Sequence, residues 1–365
     1  MNQKRKLSIC HVITTIEIGG AEKQLLVLSK KQIEDGHNVQ VVYLKGLPVL
    51  ADHFHRLGVT TFSLSAYSPL IQLLKLRHHL NSHSIDIVHA HLPRAEILCR
   101  SVITSECFVI SRHNCEPFFP SSKIFVSTML SRWVTRSASS VICISNSVKQ
   151  FLAAHNEISK GIPVFVVHYG LDFKQNSVHR RKSNQKTKIS RFIAIGRLEN
   201  QKDYVTLFRA LSIYGAHGHS FSIDVFGTGK LASSLEKLTK ELGLESLVNW
   251  RGKVEDIEVE ISKADYLIHT SLYEGFGMIF LESAKIGTPV ICSDNSAAIE
   301  IFGKDYPGLF NTGDPMSLAE TLERISKANF VPELLNHLNR VSAKFSVDEM
   351  WKNMKKIYYQ SLASK

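Results

Sequence analysis

Short β-branched runs alternate with helix-length amphipathic stretches along this chain, and the alternation stops once and then restarts. Residues 7–14, 38–44, 59–64, 86–89, 107–111, 141–145 and 164–168 have strand character. Segments such as 21–34, 70–82 and 123–137 lie between them. Strands of that length joined by such crossovers form parallel βαβ units. The stretch 173–190 is polar and basic, with no periodicity, and reads as a linker. The rhythm resumes with strands at 191–195, 221–226, 248–250, 266–270 and 289–292, and helices at 204–214, 231–242, 277–286 and 316–328. The spacing predicts an α/β chain of two Rossmann-like domains, 1–172 and 191–345, facing each other across a cleft. Residues 346–365 place Met350, Met354, Ile357, Tyr358 and Ser361 on one stripe, as an amphipathic helix does. At 365 residues the chain is too long for one ordinary core.

Composition narrows the class. Hydrophobic content of 44% with 21% charged residues is that of a soluble globular protein. No apolar run reaches the roughly 18–20 residues of a membrane span. Lys4-Arg5-Lys6 ahead of an apolar run imitates a secretory leader. However, His11, Thr14, Thr15 and Glu17 interrupt it, and Gly19-Gly20-Ala21-Glu22 continues as a strand-to-helix turn, so we read a first strand. The six cysteines show no CxxC pairing and suit buried thiols of a cytoplasmic protein. The net charge of +11 is concentrated in residues 1–191, and the remainder is slightly acidic. Such a basic half fits a phosphate-bearing substrate or an anionic membrane surface; nucleic acid is excluded for want of any matching motif.

The motif Glu274-Gly275-Phe276-Gly277-Met278-Ile279-Phe280-Leu281-Glu282 sets two carboxylates around the start of a helix. Glu274 would stay in the loop and Glu282 would ride the first turns, while the backbone N–H groups of 275–278 offer a seat for phosphate. Carboxylates for hydroxyls and bare amides for phosphate suggest a sugar nucleotide. Arg197 and Lys202 follow a strand, where open α/β sheets bind ligands. Two fixed cations there could stabilise a departing diphosphate, and no DxD sequence offers a metal clamp. The plainer reading is a solvated loop pair. Gly227-Thr228-Gly229 licenses only a tight turn. Gly19 and Gly20 open a helix and could admit a phosphate or sugar. Glu22, in its first turn, either binds an acceptor or merely complements the helix dipole. His113 lies just past a strand and could meet a sugar hydroxyl, or be one incidental histidine of 17. His89 and His91 share a strand face and invite a metal, but no third ligand has matching spacing, so none is assigned. Two segments could meet a membrane: the basic helix at 71–80, and Phe118-Phe119 with Lys123, Phe125, Arg132, Trp133 and Arg136. Core packing with a solvated face would also explain both.

Together these pieces resemble the retaining nucleotide-sugar glycosyltransferases of family 4, which have the GT-B fold. The likeness spans Gly19 to Glu22, Asp86-Ile87-Val88-His89-Ala90-His91, His113, Ile144-Ser145-Asn146-Ser147 and Gly170-Leu171-Asp172. It continues through Gly196-Arg197-Leu198 with Lys202, Gly227-Thr228-Gly229, Glu274 to Glu282, and Gly287-Thr288-Pro289-Val290-Ile291. The resemblance implies that Arg197 and Lys202 clamp the diphosphate, Glu274 contacts the donor sugar and Glu282 holds ribose hydroxyls. It implies that His113 serves the active site of an acceptor-binding first domain. Gly19, Gly20, Gly227, Gly275, Phe276, Gly277 and Met278 would line the donor site, and the last helix would cross back onto the first domain. Two departures stand out: His168-Tyr169 precedes Gly170 where Pro-Asn is usual, and Ala297-Ala298 replaces a Gly-Gly pair before Glu300.

The expected activity is transfer of a hexose or N-acetylhexosamine from a nucleoside diphosphate sugar, UDP before GDP, with retention and without a metal cofactor. The expected acceptor is a hydroxyl of a glycan or lipid-linked acceptor in O-antigen, capsule or lipopolysaccharide assembly. The expected place is the cytoplasm, peripheral on the membrane's inner face, with no obligate protein partner. A nucleotide-sugar epimerase on the same fold and a non-catalytic binding partner are the alternatives.

Overall fold

The structure, a computed structural model, describes residues 5–104, 106–119, 123–173, 189–253, 256–326 and 331–364. Most of the expected linker 173–190 lies outside the described residues. The chain forms two compact units, residues 1–170 with 345–365, and residues 171–344.

In the first unit strands and helices alternate strictly: β1 (Ser8–Ile13), α1 (Gly20–Glu34), β2 (Asn38–Tyr43), α2 (Ala51–Arg56), β3 (Thr60–Ser63), α3 (Pro69–Ser82) and β4 (Ile87–His91). Then come α4 (Pro93–Val102), β5 (Cys107–Arg112), α5 (Ile124–Thr135), β6 (Ser140–Cys143), α6 (Asn146–Ala154) and β7 (Val164–Val166). All strands are parallel, in the order β3-β2-β1-β4-β5-β6-β7. The leader-like run is therefore the central strand: Ile9, Cys10, Val12 and Ile13 are wholly buried. Side chains alternate across it. Ile9 and Ile13 meet α1, and Ile13 also α2, whereas Cys10 and Val12 meet α3 and α4.

The second unit repeats the plan with β8 (Ser190–Ile195), α7 (Tyr204–Ala216), β9 (Phe221–Phe226), α8 (Ala232–Glu241), β10 (Val248–Gly252), α9 (Ile257–Lys263) and β11 (Tyr266–His269). It continues with α10 (Met278–Ile286), β12 (Val290–Ser293), α11 (Ser296–Phe302), β13 (Leu309–Phe310), α12 (Pro315–Ser326) and α13 (Val331–Lys344). Its parallel order is β10-β9-β8-β11-β12-β13. In both units the order reverses beside the first strand, which places ligand sites at the carboxyl ends of β1 and β4, and of β8 and β11.

Helix α14 (Val347–Ala363) packs into the first unit. Ser346 caps it by accepting from Glu349 N–H at 3.2 Å, with the glutamate three residues on that a capping box requires. Met350, Met354, Ile357 and Tyr358 lie against Leu28, Ile87, Val109 and Ile142. The approach demands a glycine at 170, because a Cβ there would stand 2.7 Å from the Ser346 carbonyl oxygen.

Candidate functional site

In the second unit β8 runs into Gly196-Arg197-Leu198 and a short 3-10 turn, Asn200–Lys202. Asp203 then takes a left-handed conformation (φ 44°) and caps α7. The loop is tied to the one after β11: Leu272 N–H donates to the Gln201 carbonyl at 2.9 Å, and the Thr270 hydroxyl to the Lys202 carbonyl at 2.8 Å. Lys202 Nζ thereby meets Glu274 Oε1 in an ion pair, and His269 Nε2 reaches the same oxygen at 2.9 Å. Burial alone would raise the Glu274 pKa, but the His269 hydrogen bond and the Lys202 charge outweigh it, so the carboxylate is held ionised. His269 stays neutral, because burial pulls its pKa down against the pull of Glu274.

A cavity of about 210 Å³ opens here, lined by Lys202, His269, Glu274, Gly277, Met278 and Glu282, among others. Gly277 begins α10 at φ 87°, and a Cβ there would press on the Phe280 ring at 2.6 Å. Phe276 is 3% exposed, so it belongs to the core and does not line this cavity. The structure does not bring Arg197 to this cavity. Its side chain is 63% exposed and pairs with Glu199 at 3.0 Å and Gln201 at 3.3 Å. Gly227 has a packing reason of its own: a Cβ would fall 1.9 Å from the Gly196 carbonyl oxygen, so the glycine lets two loops touch. A larger hollow of about 410 Å³ near Asp294, Lys304 and Arg324 contains none of the expected site residues.

The first unit gathers a second group. Glu22 is buried and folds back on its own helix start; a Cβ on Gly19 would stand 2.2 Å from its Oε2. Gly19 thus makes room for Glu22, whose pKa burial raises. Gly20 faces open space. His113 borders a cavity of about 140 Å³ with Glu96, Arg112, Asn114 and Glu116. Its ring is held at both nitrogens, Nε2 by His91 Nδ1 at 3.2 Å and Nδ1 by the Tyr169 hydroxyl. Tyr169 is one of the two residues that depart from Pro-Asn, and here it fixes the expected active-site histidine.

The third histidine that the sequence did not reveal is His11. Parallel register sets it beside His89, and one nitrogen each from His11, His89 and His91 lie within 4.8 Å of one another. Hydrogen bonds account for every one of these nitrogens. Gln32 Oε1 can only accept, so His11 Nε2 donates to it (2.9 Å) and His11 Nδ1 accepts from His91 Nε2–H (3.0 Å). His91 Nδ1 then accepts from His113 Nε2–H, and His113 Nδ1 from Tyr169. The Gln32 amide donates to Tyr358 at 3.4 Å, Tyr358 to His89 Nδ1 at 2.7 Å, and His89 Nε2–H to Ser111 Oγ at 2.8 Å. One direction of donation runs through the whole chain, and it requires neutral rings.

Burial keeps them so. It lowers His11 to about 4 and His113 to about 3, and holds His89 and His91 well below 6.5. The unfolded chain takes up protons near pH 6.5, so the stability these rings contribute is complete above that pH and falls as pH drops toward 4. The slope is up to about 1.4 kcal/mol per pH unit for each ring. Glu96, raised to about 7 by burial against the pull of Arg112, has the opposite slope between 7 and 4.5 and offsets about one of them. Melting of the first unit should therefore drop by several degrees from pH 7 to pH 5. A midpoint that stays level would mean that water reaches the rings.

His269 and His11 were both missed in the sequence. His269 closes β11, and strand-end position was its only signal. His11 needed the sheet order, which no local pattern carries.

Residues 18–175 match the profile of Glycosyltransferase Family 4 and residues 175–344 that of Glycosyl transferases group 1. An uncharacterized glycosyltransferase of Methanocaldococcus jannaschii is 26% identical over 231 residues, 60% of this chain and 59% of that protein, so the match spans less than two thirds of its length. The "GalNAc-alpha-(1->4)-GalNAc-alpha-(1->3)-diNAcBac-PP-undecaprenol alpha-1,4-N-acetyl-D-galactosaminyltransferase" of Campylobacter jejuni is 22% identical over 360 residues, 94% of this chain and 96% of its own. The crystal structure of Anabaena HepE in complex with UDP and glucose superposes with a TM-score of 0.80 at 18% identity, covering 98% of this chain and 100% of that one. That likeness is one of fold.

Proposed function

Because this chain belongs to the group 1 and family 4 glycosyltransferases, we propose that it moves a hexose or N-acetylhexosamine from a UDP-sugar to a hydroxyl of a lipid-linked or glycan acceptor in bacterial cell-envelope polysaccharide assembly. The observation that carries the reading is the Lys202–Glu274 pair at the mouth of a cavity that also holds Glu282 and the start of α10. A buried ionised carboxylate accepts hydrogen bonds from sugar hydroxyls, and Glu282 suits a ribose. The α10 amides and Lys202 supply positive charge where the diphosphate leaves, the work a divalent cation does elsewhere. Arg197 exchanges Glu199 and Gln201 for the diphosphate when donor binds. In the first unit, His113 exchanges the Tyr169 hydroxyl for one on a substrate.

Glu274 is committed to Lys202 and His269, which makes it a poor nucleophile and supports a front-face reaction with retention. In that step the bond from the anomeric carbon to the phosphate oxygen breaks as the bond to the acceptor oxygen forms, and the acceptor proton passes to the departing phosphate. Thermal shift with UDP, GDP and ADP tests the donor. UDP at about 100 times its Kd should stabilise by about 2.7 kcal/mol. Equal shifts with all three, or none, would overturn the assignment, and turnover lost in EDTA would overturn the metal-free reading.

A further inference from the structure

Helix α5 is built inside out. Beside Val134 and Leu130, its inner face carries hydroxyls: Ser127, Ser131 and Thr135 are wholly buried, at intervals of four residues. Each hydroxyl is used. Ser127 Oγ accepts from Phe119 N–H at 2.9 Å, Ser131 Oγ donates to the Glu157 carbonyl at 2.6 Å, and Thr135 Oγ1 accepts from Ser159 N–H at 3.1 Å. On the opposite face Phe125, Met129 and Trp133 repeat the same interval at 71%, 58% and 43% exposure, with Ile124 and Val126 also exposed beside them. Polar groups inside and large apolar groups outside invert what water selects, and such a contiguous patch marks an interaction surface. Its rim is cationic. Lys123, Arg132 and Arg136 flank the stripe, and no Asp or Glu occurs between Glu116 and Glu157. Helix α3, in the same layer with α4 packed between, likewise exposes Leu70, Ile71 and Leu74 beside Lys75 and Arg77. Among the described residues no helix is long and apolar enough to cross a membrane.

We propose that the outer face of α5 seats on an anionic lipid bilayer, its apolar stripe at the headgroup boundary and its cations on lipid phosphates. Apolar insertion framed by Lys and Arg, with acids absent, is the pattern of an interfacial helix. A second copy of this chain would set like charges against each other at the rim. The inference deepens the reading of a lipid-linked acceptor, and its binding test stands whether or not that reading does.

The test is sedimentation of the full chain with phosphatidylcholine vesicles, with and without phosphatidylglycerol. The chain should pellet with the anionic vesicles and be released by salt in part. Phe125→Ser with Met129→Ser should weaken binding about tenfold or more, and Arg132→Gln or Arg136→Gln about fivefold each. Melting temperatures should hold, since these side chains are exposed. No pelleting with anionic vesicles overturns the proposal. So does a concentration-dependent dimer in sedimentation velocity that the Phe125/Met129 variant abolishes while vesicle binding persists.

Discussion

Lys202→Met should slow sugar transfer by at least about 10²-fold, the usual loss for a fixed group that stabilises transition-state charge, and lower the melting temperature at the same time. Both effects come from one ion pair. Without the lysine, the buried Glu274 carboxylate loses the cation that balances its charge while keeping its hydrogen bond to His269, and the acid is pushed toward protonation. Breaking a fully buried pair costs about 3–5 kcal/mol; this one opens on a cavity, so the lower end or less applies. Glu274→Gln in the same chain separates the two effects. The double variant should regain most of the lost stability, because no uncompensated charge remains, while turnover stays low. If Lys202→Met melted early yet transferred sugar at the normal rate, the lysine would be a structural partner of Glu274 and nothing more.

Arg112→Met should destabilise the first unit more than any change at its surface. Arg112 ends β5 and reaches three elements: Glu96 on α4 at 2.9 Å, Glu157 after α6 at 3.2 Å and Ser131 on α5 at 3.0 Å. Both carboxylates are wholly buried. Among the described residues neither oxygen of Glu96 has a hydrogen bond beyond this ion pair. Removing the guanidinium leaves both acids in the core without their cation, a loss of about 3–5 kcal/mol. Arg112→Lys should rescue little, since one ammonium cannot bridge two acids and a hydroxyl in that fork. Adding Glu96→Gln should recover part of the loss. Urea unfolding followed by a probe in the first unit measures all of these. A midpoint unchanged in Arg112→Met would show that water solvates the acids.

The strand–helix rhythm made both sheets legible, because a parallel strand buried on two faces reads as one apolar run. β1 could be told from a leader by His11 and the Gly19-Gly20 turn, each of which serves the fold. The short helices α2, α9 and α11, of six or seven residues, are too brief for a helical period to declare itself. Site residues within one loop, such as Glu274, Gly277 and Glu282, were legible as a group. Those joined across strands were not: Lys202 meets Glu274 and His11 meets His91 only once the sheets form. At 123–137 the mixture of aromatics and cations was visible, but which face the aromatics take depended on Phe119, Glu157 and Ser159 claiming the hydroxyls.

The first unit is assembled from two stretches of chain separated by the whole of the second, and this orders events on the ribosome. When residue 170 emerges, the sheet face of Ile87, Val109 and Ile142 lacks the part of its cover that α14 supplies, because α14 has not been made. At roughly 5–20 residues per second the wait lasts on the order of 10–40 s, during which the second unit can fold first. A nascent chain paused in that interval carries a partly open apolar face and His89 without its Tyr358 hydroxyl. Chaperone demand should therefore concentrate in this window, and moving the α14 segment ahead of β1 by circular permutation should shorten it.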